Sequence, residues 1–411
     1  MPFAIHNIGI EKPWHTAGAF FAVFAAICLH FSPALGSILG VLAFCCAAVA
    51  YFTSPDKKAV SLSPLLLVSV FVLWQCLADA VTSTPISWNK WLMRMPLFLI
   101  PLTTYWRLSY KIYLWLILCL ALPLVWIDLA SMLNYALHAD FYNQMVLESK
   151  PIPIYSIIYH IEFSVYQALV ALSLLHFMLG RKQIPMGAMG FGLLLTCFLI
   201  LFIGLHILSA RTGILMFWIG ALGLLSARFS IASVRRWMVL LVFGLAVLGT
   251  MAIPSLRNRI VNTTNDLAAV FKGGDLNHQS FGQRWEAWNA AIRAANSKPW
   301  LGYGMDKVHE AMTVSYQSGQ SHLDQLNRIN PHNQFLEVAV QSGYTAVFLL
   351  LVALIGIVVF SLKKPATKHM AFIVIALAIA MCFESLLERQ AGTWVVVLAL
   401  SGFLFPNNSN K

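Results

Sequence analysis

The chain has 411 residues, of which 59% are apolar and only 10% are charged, whereas an average soluble domain carries about 25% charged residues. Too little polar surface remains to cover such a fold in water, and apolar runs of about 20 residues, enough to cross a hydrocarbon core, recur along the whole length. The composition therefore excludes an ordinary soluble enzyme, and the net charge of +11 reads as a topology signal held in short loops between spans rather than as a nucleic-acid footprint.

Taken in chain order, the apolar runs predict an all-α integral membrane protein of about twelve transmembrane helices, starting near positions 17, 33, 61, 91, 112, 155, 186, 211, 236, 333, 369 and 391. The first run, about Ala17 to Leu29, lacks a basic start and continues directly into another span, so it is read as retained rather than cleaved. Counting loops in order places Lys12, Lys57, Lys58, Arg107, Lys111, Arg181, Lys182, Arg228, Arg235, Arg236, Lys363, Lys364, Lys368 and Lys411 on one side. The positive-inside rule makes that side cytoplasmic, with both termini facing it. All seven cysteines fall inside apolar spans, which predicts neither disulfides nor a structural zinc. The organisation is then spans one to nine over 1–253, one long external loop over 254–331, and spans ten to twelve over 332–411.

Within the loop, Ser280-Phe281-Gly282-Gln283 has capping-box spacing, and Trp285, Trp288, Ala291, Ile292 and Ala295 follow at helical period before Pro299. Gly302-Tyr303-Gly304 predicts a turn, Met305 to Tyr316 a second short helix, and Asn330-Pro331 an N-cap followed by an N1 proline. Three basic residues then fall in or near the first turn of helices facing the external side: Arg211, Arg284 and His332. A helix start presents unpaired N–H groups and the positive end of the macrodipole, so an arginine there adds full charge to an anion site. A phosphate or diphosphate is the expected guest. The same dipole end disfavours an imidazolium, so His332 is a candidate general base.

Blander readings hold for the remainder. Lys90, Arg94 and Arg389 read as interfacial anchors, and Trp74, Trp91, Trp106 and Trp237 as an aromatic belt. His6, His15, His30, His138, His160, His176 and His206 read as structural, and Trp285 and Trp288 as packing residues rather than a sugar platform. The roles of Lys90, Arg94 and Glu162 stay open. The sequence holds no Gly-x-x-x-x-Gly-Lys-Ser/Thr loop, no external Asp-x-Asp pair and no Gly-x-Gly-x-x-Gly, so no nucleotide, metal or other cofactor is expected. A lipid diphosphate could supply the driving force instead, with arginines neutralising it.

Ser209-Ala210-Arg211-Thr212-Gly213, Arg284-Trp285 with Trp288, Gly302-Tyr303-Gly304, and Pro331-His332-Asn333-Gln334-Phe335-Leu336-Glu337 followed by Gln341-Ser342-Gly343 together resemble the O-antigen ligase family of Gram-negative inner membranes. The resemblance spans about Arg211 to Gly392 in motifs and the first half in span pattern only. It implies a GT-C-like glycosyltransferase that moves O-antigen glycan from undecaprenyl diphosphate to lipid A-core on the periplasmic side, independent of metal and with inversion. In that scheme His332 is the base, Arg211 and Arg284 bind the diphosphate, and Arg389 is a further candidate for it. O-antigen polymerases and protein O-oligosaccharyltransferases share much of the pattern, although the latter carry a further soluble region beyond the last span. A lipid-linked glycan transporter is the non-enzyme alternative, and neither the oligomeric state nor the identity of the glycan is legible.

Overall fold

The computed structural model describes residues 13–54, 63–180, 188–228 and 251–404 except 107, 109, 273, 278, 320, 322, 365–366 and 403, with isolated positions between 237 and 249. The ninth expected span lies mostly outside the described residues, as do His6, Lys12, Lys57, Lys58, Arg107, Arg181, Lys182, Arg235, Arg236 and Lys411. Among the described residues there are α-helices and short 3-10 turns but no strand. The helices are α1 (Pro13–Cys28), α2 (Pro33–Thr53), α3 (Leu66–Thr82), α4 (Trp88–Phe98), α5 (Tyr110–Leu137), α6 (Ala139–Leu147), α7 (His160–Leu179), α8 (Ala188–Ile207), α9 (Arg211–Arg228), α10 (Pro254–Lys272), α11 (Ser280–Ser297), α12 (Val308–Ser318), α13 (Gln334–Leu362), α14 (Lys368–Met381) and α15 (Gln390–Leu400).

Five of these are long and apolar enough to cross a membrane: α2, the Ile112–Leu137 part of α5, α7, the Met189–Ile207 part of α8, and α13. The protein is therefore a multi-pass, all-helical membrane protein. Helix α7 is the axis of the bundle. It is mostly apolar with no outward polar face and is almost wholly buried, packed by α5, α8, α9 and α15, and polar side chains such as Gln167, which donates to Asp128, find partners inside the bundle. The seven thiols are all unpaired.

The expected span near 91 takes a different form. Pro96 lies inside α4 and Pro101 opens the following 3-10 turn, Ile100–Tyr105, so a continuous ladder cannot form and the helix stops after 11 residues. The belt expectation also needs correction. Trp74 Nε1 donates to the Ser342 carbonyl, Trp91 Nε1 to Asp79, and Trp106 is buried against Phe44; only Trp237 of that set is well exposed.

The 254–331 segment builds a small core of its own. Ala287, Ala290, Ala291, Ala294 and Ala295 of α11 pack with Val308, Ala311, Met312 and Tyr316 of α12 against Ala339 and Val340 of α13. The sequence reading drew the buried face through Trp285 and Ile292, but both are exposed by 43%. The alanine stripe faces inward because small side chains let α11 lie close on α13, whereas the bulky ones stay outside. Trp288 does pack: its Nε1 donates to the Pro331 carbonyl at 2.9 Å.

Two of the sequence motifs hold each other in place. Tyr303 N–H donates to the Val340 carbonyl and Gly304 N–H to that of Gln341, both at 2.9 Å, in the stretch where α13 breaks at Gly343 (φ 77°). A Cβ at Gly343 would collide with the Trp300 carbonyl, so this residue needs both the left-handed backbone and the absent side chain. Gly343→Ala is expected to cost about 1–3 kcal/mol, read as a lowered midpoint of thermal unfolding in detergent. Asp79 closes the same joint from α3. Its carboxylate accepts from the Ser83 hydroxyl, the Ser87 N–H and hydroxyl, Trp91 Nε1 and the Met305 N–H, all within 2.7–3.0 Å.

Candidate active site at one end of the bundle

The loop-facing ends of α7, α9, α11 and α13 and the α14–α15 link converge on one polar cluster. Arg211 is the first residue of α9 and follows a left-handed turn at Ser209 (φ 52°). It is carried toward α7 because Gly213 lies directly on the Ser164 backbone, where a Cβ would not fit. The charges acting on Arg211 are those of Asp266 and Arg284.

Arg284 lies one turn into α11, but the expected capping box is absent. The N-cap position is Gln279, which makes no side-chain cap bond, and Gln283 turns its amide to the Asn277 carbonyl at 2.6 Å. Asp266 of α10 serves instead, its Oδ2 accepting the Phe281 N–H at 3.0 Å; a carboxylate from a neighbouring helix satisfies the start that Ser280 was expected to satisfy. Burial draws the Arg284 guanidinium down from its ordinary value, opposed by Glu384 and Tyr159.

His332 is placed differently from the sequence expectation. Asn333, not Asn330, caps α13, its Oδ1 accepting from Phe335 N–H at 3.0 Å and Leu336 N–H at 3.2 Å. His332 therefore stands just outside the helix, with φ 45°. A non-glycine residue held in the left-handed region is strained, and such strain persists where surrounding contacts over-determine it. Here those contacts are the Asn333 cap on one side and the Trp288 bond to the Pro331 carbonyl on the other. His332 Nδ1 lies 3.1 and 3.2 Å from the two oxygens of Glu384. With Nδ1–H donating to that carboxylate, the Nε2 lone pair is the one left to accept a proton.

Glu384 was not assigned a role from sequence, yet it joins the cluster. Burial pushes its carboxyl up, but the hydrogen bond and charge of His332 and the charges of Arg284 and Arg389 outweigh that and hold it below the usual carboxylate range. Arg389 immediately precedes α15. Its Nε lies 3.6 Å from Glu162 Oε1, an ion pair too long for a hydrogen bond, and its guanidinium sits 4.1 Å from the Tyr159 ring centroid. Arg389 is thus tied to α7 rather than serving only as an anchor. Arg211, Arg284, His332 and Arg389 share one site, linked through Arg284 and Glu384. His160, read as structural, sits among Arg259, Glu384, Arg284 and Arg389.

The α14–α15 link is itself clamped. Glu388 takes Arg94 Nη2 at 2.6 Å and Lys90 Nζ at 2.8 Å, and Leu387 N–H donates to Gln334 Oε1 at 2.6 Å. Burial raises the Glu388 carboxyl, but Arg94 and Lys90 override it and hold the group well below its ordinary value. Arg94 is 0% exposed, so the interfacial-anchor reading fails for it: the guanidinium points into the protein because a buried carboxylate is there to receive it.

These features define a multi-pass helical membrane protein with a cationic site at one end of the bundle, partly open at Arg389, next to a strained histidine. Residues 195–351 match the family model described as O-antigen ligase, a likeness that covers less than half of the chain. Members of that family are glycosyltransferase-like enzymes, ligases and polymerases. The match includes Arg211, Arg284 and His332 and ends before Glu384 and Arg389. No curated protein matches the chain.

Proposed function

We propose that the protein is an inner-membrane O-antigen ligase that transfers glycan from undecaprenyl diphosphate to a sugar hydroxyl of lipid A-core at the periplasmic face. The observation carrying this reading is the joining of Arg284, Arg389 and His332 through one buried carboxylate, Glu384, at the mouth of the bundle. The acceptor hydroxyl approaches His332 Nε2, which takes its proton as the oxygen attacks the anomeric carbon. The bond from that carbon to the donor phosphate oxygen breaks, and the electron pair leaves with the diphosphate. Arg211, Arg284 and Arg389 stabilise the departing charge, doing with fixed guanidiniums what a metal does in other diphosphate-cleaving sites. Glu384 keeps the imidazole in the tautomer that accepts at Nε2 and stabilises the imidazolium formed.

A single direct displacement inverts the anomeric carbon. With a synthetic donor of defined configuration, NMR of the product is expected to show the opposite anomer at the new linkage. Retained configuration would contradict direct attack and require a covalent intermediate that this scheme does not contain.

A further inference from the structure

Arg259 of α10 is a buried cation that the scheme above leaves unused. It is 8% exposed, and its Nη2 donates to the Lys150 carbonyl at 3.0 Å. Its Nε, also buried, has no hydrogen-bond partner among the described residues. Buried donors without partners are rare in folded proteins, and guanidiniums bind phosphate through paired N–H groups, so an open N–H on a buried guanidinium marks a place for an anion.

The position of Arg259 says which anion. The charges acting on it are those of Arg211 and Asp266; those acting on Arg211 are Asp266 and Arg284; those acting on Glu384 are His332, Arg284 and Arg389. Arg259 is thus within the field of Arg211, and Arg211 within that of Arg284, whereas Glu384, which feels Arg284 and Arg389, is the partner of His332. Asp266 alone faces Arg259 and Arg211 among these carboxylates, and it is already spent on the Phe281 N–H. Burial and the facing Arg211 push Arg259 down to about 10, so it is still charged near neutrality. Like charges gathered this way repel one another and concentrate anions locally, and a multivalent anion between them relieves that repulsion.

Building on the proposed ligase reading, we infer that Arg259 together with Arg211 binds the second phosphate of the donor, the one farther from the reacting sugar. Arg284 and Arg389 then hold the phosphate bonded to the sugar, whose oxygen takes the electron pair as the whole diphosphate departs. The site on this account measures the length of a diphosphate rather than total negative charge.

The alternative is that Arg259 only staples α10 to the α6–α7 connection. Asn262 makes the same kind of staple, donating to the Val146 carbonyl at 3.2 Å and the Ser149 hydroxyl at 2.8 Å, so Asn262→Ala is the matched control. Binding of undecaprenyl diphosphate and undecaprenyl monophosphate to the full chain in nanodiscs separates the two. Wild type and Asn262→Ala are expected to prefer the diphosphate by about 10–100-fold, the worth of a charged hydrogen-bonded contact. In Arg259→Gln that preference is expected to fall toward parity with monophosphate affinity kept, and Arg259→Lys to restore part of it. A preference unchanged in Arg259→Gln, or lost equally in Asn262→Ala, would overturn the inference and leave the ligase reading standing. No diphosphate preference in wild type would overturn both.

Discussion

Replacing His332 by alanine is expected to lower the turnover of glycan transfer by about 10²–10⁴-fold, the range for losing a positioned general base, with the Michaelis constant for the donor little changed. The split follows from the geometry. Among the described residues His332 meets the proposed diphosphate cations through Glu384, so its removal leaves Arg211, Arg284 and Arg389 in place. Alanine leaves the left-handed backbone at φ 45° unrelieved and removes the bond to buried Glu384, so a modest loss of stability is expected and turnover is compared on the folded fraction. Steady-state kinetics of the purified variant beside its thermal unfolding midpoint checks both halves. A variant with normal turnover would remove His332 from the reaction.

Replacing Arg94 by alanine is expected to have the largest effect on folding, about 3–5 kcal/mol, because it takes from the mostly buried Glu388 carboxylate its shortest charged partner and leaves Lys90 as its one ion-pair partner among the described residues. The Glu384–Arg389 link is then left to the Lys90–Glu388 pair and the Leu387 N–H bond to Gln334 on α13. The unfolding midpoint in detergent should fall by several degrees, and any activity remaining should be lost with the fold rather than ahead of it. Replacing Arg94 and Glu388 together with leucines should recover most of the stability, because the penalty arises from the unpaired charge and not from the missing bond. A single Arg94→Ala variant as stable as wild type would show that the clamp contributes nothing.

How far the sequence could be read is clear from particular residues. Apolar length located the five described helices long enough to cross a membrane, because lipid leaves a chain few other ways to satisfy its backbone. It failed at α4, where two prolines five residues apart outweigh apolar composition, and it did not pick out α10, which is polar on average. Arg211, Arg284 and His332 stood out in the sequence partly because each stands next to a helix start and otherwise through the family resemblance, although the actual caps proved to be Asp266 and Asn333 rather than Ser280 and Asn330. Glu384 and Arg259 were not legible. Glu384 lies 52 residues beyond His332, Arg259 is on a helix the periodicity did not show, and only tertiary packing brings either to the site. Arg94 was misread because an arginine near a span end looks alike whether it snorkels or meets a buried carboxylate.

The most direct test of the whole account is an incubation of the purified chain in detergent and EDTA with a synthetic undecaprenyl-diphosphate-linked glycan and lipid A-core. The account predicts glycan attached to lipid A-core, because arginines supply the positive charge and the acceptor hydroxyl is the nucleophile. Elongated donor glycan instead would make the protein a polymerase, and no covalent product of any kind would contradict an enzyme acting through His332.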